Sequence, residues 1–265
     1  MKSKISGQSV FKERFPLFIF LNCYDIIISA IITYNNSDSK YFGGIKMFKT
    51  LDILSMEHSV AGSWLAGFEY PWEAIRSIKS QILKLCSELD KSEYNELYEN
   101  VFVHKTAVVA PTAFIGAPSI IGAGTEVRHC AFIRESALIG ENCVIGNSVE
   151  IKNAILFDCV QVPHFNYVGD SILGYKSHMG AGSVTSNVKS DQKEIVVRNG
   201  DEKFETELKK FGAILGDNVE IGCNTVLNPG TVVGNGTNIY PLSCVRGTVP
   251  ANSIYKTGGV IVDKV

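Results

Sequence analysis

Residues 109–151, VAPTAFIGAPSIIGAGTEVRHCAFIRESALIGENCVIGNSVEI, decide how this chain folds. Within them Val109, Ile115, Ile121, Val127, Ile133, Ile139, Ile145 and Ile151 stand six apart, and Val103 extends the series upstream. Four positions after most of these aliphatics comes a small or β-branched residue: Ala113, Ser119, Thr125, Ala131, Ala137, Cys143, Val149. Glycine often follows the aliphatic directly, as at Gly116, Gly122, Gly140 and Gly146. The same step resumes from Leu215 through Ile221, Leu227, Val233 and Ile239 to Val245. Helical side chains share a face about every 3.6 residues and strand side chains about every 2, so neither element yields a period of six. A hexapeptide array does, and it builds a parallel β-helix. Each unit supplies a short strand and a turn, three units close a coil, and the aliphatic points inward onto its counterparts above and below. The i+4 position falls at a corner with room for a small side chain, and glycine after the aliphatic suits the tight turn. No unit buries its own apolar face, so stability accumulates coil by coil. A β-sandwich with coincidental spacing would not keep 15 aliphatics in phase.

The 265 residues carry 25 Lys and Arg against 27 Asp and Glu, a formal charge of −2. That balance gives no basic footprint for nucleic acid or an anionic membrane. The 7 cysteines are scattered without a CxxC pair. This points to reduced thiols in a cytoplasmic protein, with Cys143 as a small core filler, and away from structural zinc.

Upstream of the repeat, Phe15 to Tyr34 is apolar but interrupted by Asn22, Asp25 and Ser29. An aspartate in mid-membrane costs about 3 kcal/mol on insertion scales. Residues 1–46 therefore read as an unplaced apolar extension rather than an anchor, and Met47 reads as a natural start of the soluble chain. Residues 47–100 read as a helical cap or connector. Pro71 suits a first helical turn, and Ile75, Ile78, Ile82, Leu85 and Leu89 share one face of a helix over 69–90. Packed against or over the first coil, that helix would shield an open sheet edge. Tyr94 and Tyr98 fall in the acidic connector that follows. The solenoid occupies residues 101–250, and 251–265 read as a C-terminal tail.

The six-residue step slips to five between Ile151 and Leu156 and again between Val168 and Leu173, and it stops across residues 186–213. Insertions in a solenoid emerge as loops on one face and carry binding. Residues 186–213 are therefore expected to protrude as a functional loop. Polar side chains gather around the break: Arg134, Lys152, His164, Asn166, Tyr167, Asp170, His178, Asn187 and Lys193.

Two blocks there are specific. One is Val162-Pro163-His164-Phe165-Asn166-Tyr167-Val168-Gly169-Asp170, and the other is Gly180-Ala181-Gly182-Ser183-Val184-Thr185-Ser186-Asn187. Together they resemble the left-handed β-helix acetyltransferase domain of the bifunctional N-acetylglucosamine-1-phosphate uridyltransferases. In particular they look like the version fused to archaeal sugar-1-phosphate nucleotidylyltransferases. Those also carry a charged insertion before a segment like Ala213-Ile214-Leu215-Gly216-Asp217-Asn218-Val219. The resemblance spans roughly residues 101–250, and its hexapeptide part is shared by many acyltransferases.

The resemblance implies an all-β, left-handed parallel β-helix. It further implies acetyl transfer from acetyl-CoA, as co-substrate, to the amine of an amino-sugar 1-phosphate of the glucosamine-1-phosphate type. Such a step serves UDP-N-acetylglucosamine and cell-envelope precursor synthesis. His164 matches the general base, a role that suits a neutral imidazole. Arg134 and Lys152 match cations that hold the sugar phosphate, for which guanidinium and ammonium are the natural donors. Tyr167 and Asn187 match sugar-positioning groups, and Lys193 matches a lysine that the loop supplies, from the same or a neighbouring subunit. His178, Ala181 and Cys223 fall along the coenzyme strip. Flat solenoid faces and the family's habits imply a homotrimer with sites between protomers.

There are departures: His178 stands for an asparagine, Val188 for a tyrosine, and Cys223 and Pro241 for small residues. No glycine-rich nucleotide signature occurs, and 100 residues could not house a nucleotidyltransferase domain, so pyrophosphorylase activity is not expected. Hexapeptide carbonic anhydrases need three zinc-binding histidines with an HxxxxH pair. His129, His164 and His178 are wrongly spaced for that, and no metal is expected. The rival reading is a non-catalytic β-helix that binds a sugar phosphate or nucleotide-sugar, or that scaffolds a separate nucleotidyltransferase. The altered coenzyme strip favours it, whereas His164, Asn187 and Lys193 favour an enzyme.

Overall fold

The computed structural model describes residues 48–264. The apolar extension and the start at Met47 lie outside the described residues. Short strands stack in parallel along three faces. The first face runs through Val101–His104, Ser119–Ile121, Phe132–Ile139, Glu150–Leu156, Tyr167–Leu173, Ala213–Leu215, Thr231–Val233 and Thr248–Val249. The second begins at Val108–Val109 and passes through Gln161–His164 and His178–Met179 to Ser253–Tyr255. The third begins at Phe114–Ile115 and passes through residues 132–133, 150–152, 167–169 and 184–185 to Cys244–Val245. Val101 pairs with Ser119, and Ser119 with Ala137, so a coil holds three six-residue units. This is the left-handed parallel β-helix that the six-residue step and the motifs point to. The in-phase aliphatics fill its interior: Ile121, Ile139, Ile145, Ile151, Val162, Val168, Leu173 and Met179 are almost inaccessible. Burying each contributes about 1.5–3 kcal/mol.

The five-residue steps have a local cause. Ile133 pairs with Ile151 but Glu135 pairs with Lys152, which leaves Arg134 as the surplus residue. In the next two coils that surplus is gone, and Glu150–Leu156 and Tyr167–Leu173 cross from the third face to the first as continuous strands. Ser136, Asn153 and Asp170 turn this corner with φ of 53°, 48° and 49°, a conformation that Asn and Asp tolerate better than most residues.

The outward side of the first face is apolar as well. Phe102, Ile120, Leu138, Ile155, Ile172, Ile214 and Val232 are at most 3% exposed, because other parts of the chain lie on them. The expected single helix over 69–90 is instead a 3-10 turn, Pro71–Ser77, that runs into an α-helix, Ile78–Glu88. The helix lies along the first face, against Ser119–Ile121, Phe132–Ile139 and Glu150–Leu156, rather than over the end of the first coil. The outward aliphatic ladder of that face is what draws it there. At the solenoid's start, Tyr94–Tyr98 pairs antiparallel with Val101–His104, so the two tyrosines flank a strand. At its end the presumed tail forms an antiparallel pair, Ser253–Tyr255 with Ile261–Asp263. No helix among the described residues is long and apolar enough to cross a membrane.

Residues 186–213 are not a loose protrusion. They fold into an antiparallel hairpin, Ile195–Asn199 with Glu202–Leu208. Ile195, Val197, Leu208 and Phe211 are buried. Trp72 stacks on Tyr70 at 4.7 Å and faces Phe211 at 6.3 Å, with Phe204 5.4 Å from Tyr70. Arg76 donates to the Thr206 carbonyl at 3.2 Å. Gly200-Asp201 forms the two-residue turn between the paired Asn199 and Glu202, with Gly200 at φ 58°, and a Gly-Asp step after a β-branched run is a hairpin signal carried by the sequence.

Candidate functional site

The shortened corner between the third and first faces collects most of the candidate binding residues. Asp170 is 3% exposed. It accepts from Lys152 Nζ at 3.2 and 3.3 Å, from Asn153 Nδ2 at 2.8 Å and from Asn187 Nδ2 at 2.5 Å. Asn187 Nδ2 also donates to the Tyr167 hydroxyl at 3.1 Å. One coil away, Arg134 Nη1 donates to Glu150 at 2.9 Å. Burial, then the negative charges of Asp170 and Glu150, hold the Tyr167 phenol above its ordinary pKa, so the hydroxyl stays protonated. Gly169 permits this arrangement: a Cβ there would stand 2.3 Å from the Tyr167 hydroxyl. Arg134, Lys152, Tyr167 and Asn187 are thus brought together. Glu150, Asn153 and Asp170 join them without having been assigned a role from the sequence. Their signal was the coil register, which stacks residues 17 or 18 apart, such as Lys152 on Gly169 and Phe132 on Glu150.

His164 sits at the opposite edge of the third face, where the second face turns into it. Its backbone is tightly held. The His164 N–H donates to Asn166 Oδ1 at 3.1 Å, and buried Asn166 donates to the Gly180 and Ser183 carbonyls at 2.8 and 3.1 Å. Gly182 N–H donates to the His164 carbonyl at 3.0 Å. The imidazole itself is exposed and meets no hydrogen-bond partner among the described residues. Ala181 and Cys223 follow in the same corner column, linked by Asn224 N–H to the Ala181 carbonyl at 2.8 Å. A rigid turn therefore carries His164 in line with two of the three coenzyme candidates.

The other two candidates lie apart. His178 is on the outer side of the second face, with Nδ1 2.8 Å from Glu220. Lys193 is exposed at the approach to the hairpin, and its N–H donates to Asp191 at 3.1 Å; no contact joins it to Tyr167 or Asn187. Beside Asn187 a cleft of about 420 Å³ is lined by Ser186, Lys189, Asp191, Asn228 and Arg246. Among the described residues no group of three or more His, Cys, Asp or Glu is placed to hold a metal ion.

Among the described residues, nothing covers the third face between these two edges. Phe114 is 54% exposed, Phe132 40% and Val226 37%, with Phe114 and Phe132 in ring contact at 5.5 Å.

The sequence model of the family described as "GMPPB C-terminal domain" matches residues 132–237. The bifunctional protein GlmU of Methanococcus maripaludis is 32% identical over 229 residues, covering 84% of this chain and 56% of that protein. A bifunctional sugar-1-phosphate nucleotidylyltransferase/acetyltransferase of Sulfurisphaera tokodaii is 30% identical over 105 residues, 40% of this chain and 26% of that one. The chain spans little more than half the length of the curated relatives it matches at best. Among solved structures, PerB from Caulobacter crescentus in complex with CoA and GDP-perosamine matches at 18% identity and a TM-score of 0.32, covering 60% of this chain and 56% of that one. A likeness that distant says nothing about ligands. The relatedness that the His164 and Asn187 blocks suggest is borne out by the sequence matches along the solenoid.

Proposed function

We propose that this chain, whose β-helix is related to the GlmU-type bifunctional proteins, is an N-acetyltransferase that moves an acetyl group from acetyl-CoA to the amine of an amino-sugar 1-phosphate. The observation that carries the reading is the third face with its two edges. An exposed imidazole on a rigid turn stands at one edge, and a hydroxyl, an amide and two cations are gathered at the other. A sugar phosphate across that face turns its amine toward His164 and its phosphate toward Arg134 and Lys152. His164 takes the amine proton as the nitrogen attacks the thioester carbonyl. The C–N bond forms, the C–S bond breaks, and the departing thiolate recovers the proton from the imidazolium. The coenzyme runs along the His164–Ala181–Cys223 column. Lys189 and Arg246 in the neighbouring cleft offer further cations to a phosphorylated ligand.

A homotrimer fits the same face. Exposed Phe114, Phe132 and Val226 form the kind of apolar strip that a second copy covers. The unpartnered His164 ring and the outlying Lys193 then belong to sites completed between protomers. Among the described residues all six cysteines are free thiols, which supports a reducing, cytoplasmic setting. The place of such a reaction is UDP-N-acetylglucosamine and cell-envelope precursor synthesis, with glucosamine 1-phosphate as reference acceptor.

One observation favours a second reading: both cations already have carboxylate partners, Arg134 with Glu150 and Lys152 with Asp170. A site charge-balanced within the chain suits a binding β-helix or a scaffold for a separate nucleotidyltransferase. Thiol release from acetyl-CoA, measured with glucosamine 1-phosphate and galactosamine 1-phosphate, separates the two. Acceptor-dependent release supports the enzyme, whereas calorimetric binding without release supports the binding module.

A further inference from the structure

Asp170 is a buried carboxylate that gathers three separate parts of the chain. Lys152 and Asn153 reach it from the adjacent coil, and Asn187 from the point where the insertion leaves the solenoid. Its backbone carbonyl accepts from Gly212 N–H at 2.8 Å, where the insertion returns. Asn153 also donates to the Ile75 carbonyl at 3.3 Å, which ties the network to the segment covering the first face.

The network has a direction. Asn187 Nδ2 donates to both Asp170 and the Tyr167 hydroxyl. Flipping that amide would set its carbonyl against the Asp170 carboxylate, so the carboxylate fixes which end faces outward. Asn187 Oδ1 is left as an acceptor. The Tyr167 hydroxyl, which accepts from Asn187, keeps its own hydrogen to donate. Lys152, 14% exposed at its side chain, is pinned by both Asp170 oxygens and keeps one N–H for a ligand. We infer that Asp170 is the positioning residue of the acceptor site. It sets the hydrogen-bond polarity that the Tyr167–Asn187–Lys152 group presents to a sugar's hydroxyls and phosphate. This rests on the acetyl-transfer reading above.

The test is steady-state kinetics of the full chain with acetyl-CoA and glucosamine 1-phosphate. Asp170→Asn turns an NH2 toward donors and releases the Asn187 amide to flip. It should raise the acceptor KM about tenfold or more while the acetyl-CoA KM changes less than about twofold. Because Asp170 acts through Asn187, the double variant D170N/N187A should be no worse than the poorer single variant. Asn153→Ala, which loosens the carboxylate without touching a ligand, should raise the acceptor KM by a smaller factor, and it serves if Asp170→Asn does not fold. Acceptor KM values within twofold of wild type for these variants, or losses that multiply in the double variant, overturn the inference alone. A wild type without turnover on any amino-sugar 1-phosphate removes the acetyl-transfer reading and this inference with it.

Discussion

The first and third faces of the solenoid each send a ladder of mostly aliphatic side chains inward and differ in what they show to the outside. On the first face the outward residues Leu138, Ile155 and Ile172 are at most 1% exposed beneath the helix Ile78–Glu88 and its neighbours. On the third face the outward residues Phe114, Phe132 and Val226 lie open, between the edge that carries His164 and the corner that carries Asp170. The described residues cover one face and leave the other open. In the proposed reading, stability belongs to the first and function to the third.

Substitutions on the two faces should therefore fail in different ways. The largest effect is expected at Leu138. Truncating it to alanine under the helical cover should cost about 2–5 kcal/mol in urea denaturation. A loss under about 1 kcal/mol would mean that the cover does not seal the first face. Next comes Phe132→Asp on the third face. Light scattering should fall from a three-chain to a one-chain mass, with the stability of the single chain changed by less than about 1 kcal/mol. A wild type that is already monomeric would remove the trimer, and a variant that stays trimeric would place its interface elsewhere.

The smallest effect at neutral pH concerns a thiol in the solenoid's interior. Burial pushes the Cys143 thiol up to about 12 from an ordinary 9.0. The folded chain therefore holds that proton more tightly than the unfolded one. The associated stability is intact below about pH 9 and is lost as pH rises toward 12. Cys143→Ala should flatten the fall of stability over that window; an unchanged slope would mean that the thiol does not couple to folding.

Much of this was legible in the residues. The in-phase aliphatics from Val103 to Val245 specify the coil, and the five-residue steps mark the corner where Lys152 and Asp170 meet. The covered first face was also written there, as aliphatic doublets such as Ile120-Ile121, Leu138-Ile139, Ile155-Leu156 and Ile172-Leu173, in which one residue points in and the other must be covered. Reading the six-residue step alone passes over the second member of each doublet. The packing of Trp72 on Phe211 and the bond from Arg76 to Thr206 could not be read at all, since they join residues more than a hundred positions apart with no period linking them. The packing of the insertion is hidden for the same reason. Its charged composition argues for a loop, but what folds it is an aromatic cluster supplied from residues 70–72.

The central claim, that the uncovered face carries out acetyl transfer, meets its most direct test at His164. Thiol release from acetyl-CoA with glucosamine 1-phosphate should show turnover in the wild type. Replacing His164 by alanine should lower kcat by a factor on the order of 10² or more, with the melting temperature nearly unchanged because the ring is exposed. Turnover of His164→Ala at the wild-type rate, or a wild type that releases no thiol with any amino-sugar 1-phosphate, would contradict the claim.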